Sequence, residues 1–550
     1  MKLLNIFRNS ESDLNSDNKK SSERFLLILS GILFGISFPP FPFPITLLIF
    51  FFLVPYLFTI KNRTSLAEIN KLSYLTFLTL SVITLYWVGS WQSKADPFLM
   101  IGGGVLLFFY PAVLLIISTL FYLTKKIFGN KISLWLLPIH WITVEYLLTL
   151  TDLKFPWLTL GHSLAKFTAF IQVADLIGSY GLSLIILYIN VMLFKAAENF
   201  SQSFSKSIRL VLVSILIFCV IIFYGFIKIN NSTQQKTIKV GIVQPNLDPW
   251  EKWQTGGLTD LLNDYFELSD TCIKQGAKIV IWPETALPVY LLSAEYDYLT
   301  DSIYSYVGKN NIYLLTGMPD FQVYYENPPT NAKKSQNSDY YFTTYNSILL
   351  FNPISKEIQR YGKMHLVPLG EKVPFVESLP FLGDFFKWNV GISSWNTGRD
   401  TTIFNLVIDN DTIKLAGLVC FESVFPSFVS EFAKRGAEFL VVVTNDSWYG
   451  NSSGPYQHKE FAALRTVENR KAVVRCANGG ISCLIDQFGR TIYETQMFTK
   501  ESFVVDVPIV KQNSFYSENH DIIPILASAF SIWIIGLNIL SKVKKSFNKN

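Results

Sequence analysis

The sequence predicts a multi-pass α-helical membrane bundle of about eight spans, with an α/β domain inserted before the last span. Composition supports the membrane part, because charged residues are 16% of the 550, against about a quarter in typical soluble proteins. Patterning supports the second part, because residues 229–520 alternate apolar β-like runs with helical stretches. The chain therefore combines a segment suited to lipid with one suited to water.

Eight apolar runs are candidate membrane spans. They are residues 25–38, 44–60, 72–91, 98–124, 132–151, 168–194, 210–228 and 521–540. The first run is short, and the Pro-rich segment that follows it predicts a tight reversal into the second. A cleaved signal peptide is not expected, because another long apolar run begins directly after this Pro-rich segment.

Basic residues in the linkers predict the orientation of these spans. Lysines and arginines lie between runs two and three, four and five, and six and seven, and again after the last run. The positive-inside rule places these linkers and both termini in the cytoplasm. An odd number of spans precedes residues 229–520, so this insert is predicted to face the periplasm of a bacterium. Because the net charge of +5 comes from these short clusters, nucleic-acid binding is not expected.

The sequence thus predicts five consecutive parts. They are a cytoplasmic N-terminal tail at 1–24, a membrane bundle of seven spans at 25–228, a periplasmic α/β domain at 229–520, a transmembrane helix at 521–541 and a basic cytoplasmic tail at 542–550.

Three residues at the ends of apolar runs carry reactive groups. Cys420 directly follows the apolar run 414–419, so its thiol is expected at the rim of a sheet. Glu284 follows Trp282 and Pro283, and a carboxylate beside bulky apolar groups is a better base near neutral pH. Lys363 lies between turn and apolar residues. A nucleophile, a base and a cation are the minimum set for acyl transfer through a thioester.

Taken singly, each of these residues has a more ordinary interpretation. A lone cysteine after an apolar run is more often a core residue, a turn glutamate is usually solvated, and a lysine is usually on the surface. The five cysteines and five histidines do not have the spacing of zinc ligands, so no metal is expected.

Several segments, in chain order, resemble the apolipoprotein N-acyltransferases, a membrane-integrated branch of the nitrilase (carbon–nitrogen hydrolase) superfamily. The matching segments are Phe-Pro-Trp-Leu at 155–158, Trp-Pro-Glu-Thr at 282–285, Gly-Lys at 362–363, Leu-Val-Pro-Leu-Gly-Glu at 366–371, Cys-Phe-Glu-Ser-Val-Phe-Pro at 420–426, Val-Thr-Asn-Asp-Ser-Trp-Tyr-Gly at 443–450, Gly-Pro-Tyr-Gln-His at 454–458 and Ala-Asn-Gly-Gly at 477–480. The resemblance covers nearly the whole chain from residue 25. It implies that the α/β domain is an αββα sandwich.

The resemblance also implies a role for each member of the triad. Cys420 would be the nucleophile, Glu284 the general base, and Lys363 the group that stabilises the tetrahedral oxyanion. The backbone N–H after Cys420 is expected to be a second oxyanion donor, as at other strand-to-helix nucleophile turns.

Four further positions follow from the resemblance. Glu371 and Glu422 would be additional active-site carboxylates, and Trp253 aligns with a tryptophan that is important in the family. Phe421 stands where the family usually has tyrosine, so it lacks a phenol hydroxyl but keeps a ring that could pack on substrate.

The activity implied is a two-step acyl exchange in the bacterial inner membrane. A phospholipid would acylate Cys420, and the free α-amine of an apolipoprotein's N-terminal diacylglyceryl-cysteine would then take the acyl group. A thioester retains the reactivity of the ester, so no cofactor is expected, and the enzyme is expected to be a monomer. The alternatives are a membrane-anchored amidase or nitrilase, which leaves the many spans unexplained, and a transporter with a degenerate insert, which the complete triad disfavours.

Two other pairs of residues have competing interpretations. Asp175 and Glu145 lie in or near apolar runs, where an ionisable group suggests function, but positions near helix ends are favoured. Cys476 and Cys483 flank a Gly-containing turn and could face each other on a hairpin. An oxidising compartment would permit a disulfide between them, although two small core residues are the favoured interpretation.

Overall fold

The computed structural model describes residues 16–95, 97–231, 235–251, 257–335, 338–375 and 395–547. Within these ranges the chain divides into two compact units. The first consists of the described parts of Met1–Gly89, Met100–Asn230 and Asp521–Asn550, and the second of those of Ser90–Leu99 and Asn231–His520. Trp253 lies outside the described residues.

The helices alternate with strands only in the second unit. In chain order they are α1 (Ser16–Gly35), α2 (Leu53–Ile60), α3 (Leu66–Leu85), α4 (Pro97–Leu150), α5 (Thr168–Ile171), α6 (Ala174–Asn199), α7 (Phe204–Asn230), α8 (Leu258–Lys274), α9 (Asp297–Asn310), α10 (Pro426–Lys434), α11 (Ser453–Asn469), α12 (Phe515–Asn519) and α13 (Ile522–Phe547). Short 3-10 helices lie at Ile45–Phe50, Tyr86–Gly89, Pro156–Leu158, Leu160–Leu164, Ala294–Tyr296, Cys420–Val424 and Asp446–Tyr449.

Five of the described helical segments are long and apolar enough to cross a membrane. They are Leu66–Gly89, Leu99–Leu150, Ala174–Asn199, Phe204–Asn230 and Phe515–Lys544. Gly129 has a φ of +75° and interrupts the second segment, which contains the predicted runs 98–124 and 132–151. The first two predicted runs correspond to α1 and to the shorter apolar segment Ile45–Ile60, which are not among the five. A multi-pass helical membrane protein is confirmed.

Both ionisable residues of the apolar runs are buried and hold local structure. Glu145, near the end of α4, accepts a hydrogen bond from the backbone N–H of Leu160 at 2.8 Å. Asp175, in the first turn of α6, accepts one from the Tyr224 hydroxyl at 2.7 Å and forms an ion pair with Lys228 at 3.1 Å. These contacts agree with structural positions near helix ends.

The second unit contains two sheets. Its strands are β1 (Thr237–Gln244), β2 (Ile279–Trp282), β3 (Tyr313–Tyr324), β4 (Lys333–Lys334), β5 (Tyr341–Phe351), β6 (Gln359–Gly362), β7 (Ile403–Ile408), β8 (Asp411–Val419), β9 (Phe439–Thr444), β10 (Val473–Ala477), β11 (Cys483–Ile485), β12 (Thr491–Glu494) and β13 (Glu501–Pro508). The first sheet has the order β13-β1-β2-β3-β5-β4, with β6 also paired to β5. The second has the order β12-β11-β10-β9-β8-β7.

An apolar core joins the two sheets face to face. Residues of β1, β2 and β5 pack in one buried cluster with residues of β8, β9 and β10. A second cluster lies between the first sheet and helices α8 and α9, while α10 and α11 supply side chains that pack with the second sheet. The order helix, sheet, sheet, helix confirms the αββα sandwich.

One glycine shows how closely the sheets approach each other. A Cβ atom at Gly417 in β8 would lie 2.6 Å from Cδ1 of Ile348 in β5 and 3.2 Å from the Phe404 ring. A side chain at this position would therefore require Ile348 to shift.

Cys476 and Cys483 are both buried and unbonded. Strands β10 and β11 are antiparallel, but Cys483 pairs with Arg475 and not with Cys476. The Cys476 thiol instead lies 3.3 Å and 3.4 Å from the backbone carbonyls of Val243 and Ile281 in the other sheet. The interpretation as two small core residues is therefore correct.

Candidate active site

Glu284 lies just past the carboxyl end of β2, a fully buried strand that runs parallel to β1 and β3. A Cβ on Gly317 of β3 would come within 2.6 Å of the Glu284 Cα, so the neighbouring strand packs directly against this residue. Glu284 Oε1 accepts a hydrogen bond from Asn346 Nδ2 at 2.8 Å. Burial raises the pKa of Glu284, while the Lys363 charge opposes this effect and the Glu371 charge adds to it. A carboxylate with a raised pKa is suited to proton transfer near neutral pH.

Lys363 directly follows β6 and is 1% exposed. Its backbone N–H donates to the Asn346 carbonyl at 2.8 Å, which fixes the main chain beside β5. Its Nζ donates to Glu371 Oε1 at 2.9 Å and lies 3.6 Å from Glu284 Oε1. Burial alone would lower the pKa of Lys363, but the charges of Glu371 and Glu284 raise it well above its usual value. The side chain is thus a permanent cation.

Both carboxylate oxygens of Glu371 accept hydrogen bonds. Its Oε1 accepts from Lys363 Nζ and, at 3.1 Å, from Asn346 Nδ2, while its Oε2 accepts from the Val367 backbone N–H at 2.9 Å. The carboxylate therefore positions Lys363 and closes the loop that follows it.

Cys420 stands at the turn from β8 into the 3-10 helix Cys420–Val424 and has a φ of +53°. This left-handed conformation costs about 1–2 kcal/mol for a residue with a Cβ. A sharp turn of this kind presents a nucleophile at the edge of a sheet. Burial raises the pKa of the Cys420 thiol, and the Glu284 charge raises it further, against the opposing charge of Lys363. The resting thiol is therefore neutral and needs a base.

Glu422 is completely buried and joins two parts of the site. Its Oε1 accepts from the Tyr361 hydroxyl at 2.7 Å and from the backbone N–H groups of Met364 at 2.6 Å and His365 at 3.0 Å. Its Oε2 accepts from the Val419 N–H at 2.8 Å. The carboxylate thus connects the segment around Lys363 to the strand that precedes Cys420.

Phe421 is buried, with 4% of its surface exposed. Its ring lies edge-on to the ring of Phe425, with 5.0 Å between the centroids. The ring that replaces the family's tyrosine therefore packs against the protein itself.

Sequence reasoning missed a polar cluster next to the main chain of Cys420. His458 Nδ1 lies 2.9 Å from Asp446 Oδ1, and its Nε2 lies 3.0 Å from the Cys420 carbonyl oxygen. Asp446 also forms an ion pair with Arg475. Burial would raise the pKa of Asp446, but the Arg475 charge and the hydrogen bonds from His458 and Arg475 hold it well below its usual range. Asp446 and His458 lie in segments that resemble the family, yet those segments suggested no role for either residue.

Asn346 was missed as well. It is a buried amide in the middle of β5, within a run of buried positions. A polar residue at a fully buried strand position is the signal that could have found it, because such a group needs a buried partner.

The atoms of Cys420, Asp446 and His458 that could bind a metal lie within 4.8 Å of one another. They do not fit a metal site. The Arg475 cation pairs with Asp446, and the two ring nitrogens of His458 face Asp446 and the Cys420 carbonyl. A second cation would therefore meet an existing positive charge.

The comparisons with known proteins agree over both units. Residues 239–513 match the carbon-nitrogen hydrolase family, and residues 30–192 match the apolipoprotein N-acyltransferase N-terminal domain. The chain is 34% identical over 508 residues to the apolipoprotein N-acyltransferase of Chlorobaculum tepidum, covering 91% of this chain and 93% of that protein. The chain belongs to the apolipoprotein N-acyltransferase family. It is therefore an acyltransferase with a catalytic domain of the nitrilase superfamily.

A second relative in this family is the apolipoprotein N-acyltransferase of Geobacter metallireducens, 29% identical over 503 residues, covering 90% of this chain and 91% of that protein. Among solved structures, a mutant of a Nesterenkonia amidase from the nitrilase superfamily aligns with a TM-score of 0.36 and 17% identity. That alignment covers 52% of this chain and 96% of the amidase.

Proposed function

We propose that this chain moves an acyl group from a membrane phospholipid, through a thioester on Cys420, to the free α-amine of an apolipoprotein's N-terminal diacylglyceryl-cysteine. One observation carries the proposal. A neutral, partly buried thiol shares a site with a carboxylate of raised pKa and a permanent cation, in a chain of the apolipoprotein N-acyltransferase family. These are the groups that thioester chemistry needs.

In the first half-reaction, Glu284 takes the proton from the Cys420 thiol as the sulfur attacks the ester carbonyl of the phospholipid. The tetrahedral oxyanion is stabilised by the Lys363 ammonium and by the backbone N–H that follows Cys420. When the intermediate collapses, the C–O bond of the ester breaks, and the proton held by Glu284 passes to the leaving glycerol oxygen. Lysophospholipid departs and a thioester remains.

In the second half-reaction, the neutral α-amine attacks the thioester carbonyl, and the same cation stabilises the oxyanion. Glu284 takes a proton from the attacking nitrogen. The C–S bond breaks, an amide forms, and the sulfur regains the proton from Glu284. The reaction is balanced without an added oxidant, nucleotide or metal.

The two other carboxylates support this chemistry without exchanging protons. Glu371 holds Lys363 at 2.9 Å, and Glu422 fixes the turn on which Cys420 lies. We assign Trp253 a role in substrate binding on the basis of the family resemblance alone.

The topology predicted from the sequence forms part of the proposal. The enzyme would lie in the bacterial inner membrane as a monomer, with residues 229–520 facing the periplasm and both termini in the cytoplasm. The charge distribution of the linkers supports this orientation. The segments 1–24, 25–228, 229–520, 521–541 and 542–550 are its proposed parts.

Separating the half-reactions tests the function. Purified enzyme given phospholipid alone should release about one lysophospholipid per active site and then stall, as expected of a ping-pong enzyme with a burst phase. A diacylated lipopeptide with a free α-amine should restart turnover, and its N-acetylated form should not. Mass spectrometry of the stalled enzyme should place the acyl group on Cys420. Steady release of fatty acid without any amine would instead identify water as the acceptor and the enzyme as an amidase-like hydrolase.

A further inference from the structure

Asn346 connects three charged groups of the site. It lies in β5, opposite Pro319 of β3, and the next residue pairs with Gly362 at the end of β6. Its backbone carbonyl accepts from the Lys363 N–H at 2.8 Å. Its side-chain Nδ2 donates to Glu284 Oε1 at 2.8 Å and to Glu371 Oε1 at 3.1 Å. One amide nitrogen therefore holds two carboxylates.

The orientation of this amide is fixed by its partners, because only the NH₂ group can donate to two carboxylates. The other end of the amide is less well placed. Asn346 Oδ1 is buried and accepts no hydrogen bond from the residues that the structure describes. An unsatisfied buried acceptor costs about 1–3 kcal/mol. Fold stability alone does not favour such a residue, so its two donated bonds point to a role in the site.

The two carboxylates differ in how many oxygens remain available. Both oxygens of Glu371 accept hydrogen bonds, from Lys363, Asn346 and Val367. Glu284 Oε1 accepts from Asn346, whereas its Oε2 accepts no hydrogen bond from the described residues. A carboxylate needs an unengaged oxygen to receive a proton from a thiol or an amine. Glu284 meets that condition and Glu371 does not.

We propose that Asn346 is a positioning residue that fixes Glu284 through Oε1 and leaves Oε2 as the oxygen for proton transfer, so that Glu284 and not Glu371 is the general base. This inference rests on the proposed function, since it names what selects the base for that reaction. Asn346 touches neither the sulfur nor any atom that reacts.

The pH dependence distinguishes this role from a purely structural one. The charged or titratable groups that act on Glu284 are Lys363, Glu371, Asp446 and Cys420. The hydrogen bond from Asn346 favours the ionised form of Glu284, so its loss raises the pKa of this carboxyl. Glu284 works as a base only when ionised. The acidic limb of the activity profile should therefore move to higher pH.

Two variants of Asn346 should shift the acidic limb by different amounts. Asn346→Ala removes the donor, and Asn346→Asp keeps the shape but places a third carboxylate against Glu284 and Glu371. Repulsion between like charges should raise the Glu284 pKa more in the second variant. Asn396→Ala is the matched control. Asn396 is also buried, and its side chain accepts a hydrogen bond at 2.8 Å from the backbone N–H of Thr344, which lies in β5 like Asn346. None of the side-chain contacts of Asn396 among the described residues involves Lys363, Glu284 or Glu371.

The experiment measures alkylation of Cys420 by iodoacetamide against pH, followed by peptide mass spectrometry, with Cys420→Ala as the blank. Compared with the unaltered enzyme, the acidic limb should move up by about one pH unit in Asn346→Ala and by more in Asn346→Asp. Asn396→Ala should keep the limb where it is. The pH at which the limb lies does not depend on the fraction of protein that folds. If Asn346→Ala cannot be purified, the isosteric Asn346→Asp variant is sufficient for the test.

Alkylation needs no lipid, so this test is separate from that of the proposed function. Release of lysophospholipid from phospholipid is measured on the same preparations. An enzyme with the shifted limbs but no lysophospholipid release would overturn the proposed function and support the role of Asn346. An unmoved acidic limb in both Asn346 variants would overturn the inference, whatever their rates of acyl transfer.

Discussion

Nε2 of His458 lies 3.0 Å from the carbonyl oxygen of Cys420, so a side chain of α11 holds the main chain of the predicted nucleophile. The Ser423 hydroxyl donates to the same carbonyl at 2.9 Å. Together these contacts offset the cost of the left-handed turn at Cys420. The ring is held from its other side by Asp446 at 2.9 Å, and Asp446 by Arg475. A chain of buried polar groups thus fixes the direction in which the sulfur points.

His458→Ala should lower kcat about 10- to 100-fold with little change in KM, because losing this contact costs about 1–3 kcal/mol of positioning. Burial and the Arg475 charge lower the pKa of His458, so the ring is neutral at neutral pH and should not supply the acidic limb of the activity profile. The measurement is turnover against pH. Thr466→Ala, a buried change on the same helix whose hydroxyl bonds only to Ala463, should leave kcat unaltered. A lost limb in His458→Ala would make the histidine a proton carrier instead.

Lys363→Arg should be nearly as inactive as Lys363→Ala, although it preserves the charge. The ammonium occupies a space that is 1% exposed, between two carboxylates, and the planar, larger guanidinium cannot take its place without moving them. Removal of an oxyanion donor typically lowers the rate by about 100- to 1000-fold. Burst release of lysophospholipid gives the rate of the first step directly. Near-normal turnover in the arginine variant would mean that Lys363 contributes only a general positive field.

Glu422→Gln should destabilise the catalytic domain much more than Tyr361→Phe. The Glu422 carboxylate accepts hydrogen bonds from four donors, at least one of them on each oxygen. In the glutamine variant the NH₂ group would replace one of these oxygens, so at least one donor would face another donor and lose its acceptor. The expected loss is on the order of 1–3 kcal/mol, whereas the phenylalanine removes one donor from an oxygen that keeps two. Thermal unfolding in detergent, followed by near-UV circular dichroism, compares the two variants. Equal melting temperatures would show that Glu422 does not join the two segments.

Lys471 should make the stability of the catalytic domain rise with pH in alkaline solution. Burial lowers the pKa of this lysine from 10.5 to about 8, while Glu438 and Glu518 oppose the change. Between these two pH values the unfolded chain binds a proton that the folded chain does not, so stability increases as pH rises through this window. The effect is on the order of 3 kcal/mol in total.

The measurement compares melting temperatures at pH 7.5 and pH 10 (values set by the window above) for the unaltered protein and for Lys471→Met. The methionine keeps the apolar stem but cannot titrate, so the melting temperature of the unaltered protein should rise relative to that of Lys471→Met between the two pH values. Lys471 Nζ also donates to the carbonyls of Val510 and Gln512, and the methionine loses both bonds. That loss is the same at both pH values and cancels in the comparison.

The sequence was sufficient for the layers of the fold because each layer has a local pattern. Apolar runs marked the membrane helices, and alternating runs together with the family resemblance marked the sandwich. Boundaries were less accurate: the run predicted to begin at 25 belongs to a helix that begins at Ser16, since helix geometry continues into polar sequence. The pairing of Cys476 and Cys483 could not be predicted either, because a shift of one residue in strand register decides whether two thiols face each other.

The partners of the site residues could not be read from local patterns. The contacts of Asn346 with Glu284, of His458 with Cys420 and of Arg475 with Asp446 join residues 62, 38 and 29 positions apart in the chain. Only the folded topology brings these residues together. The sequence placed Glu371 and Glu422 in the site through the resemblance, but not which oxygens they engage. The roles assigned to the triad and to Trp253 remain predictions for the experiments above.

The close approach of the sheets at Gly417 has a consequence for catalysis. Glu284, the predicted base, follows a strand of one sheet, and Cys420, the predicted nucleophile, follows a strand of the other. The packing between the sheets therefore contributes to the distance between these two residues. A methyl group added at this glycine would lie 2.6 Å from Cδ1 of Ile348, so the Ile348 side chain would have to shift. The rate of the reaction at the edge of the sandwich therefore depends on how tightly the core between the sheets is packed. Changes in core packing can therefore alter the rate of acyl transfer without any contact with lipid.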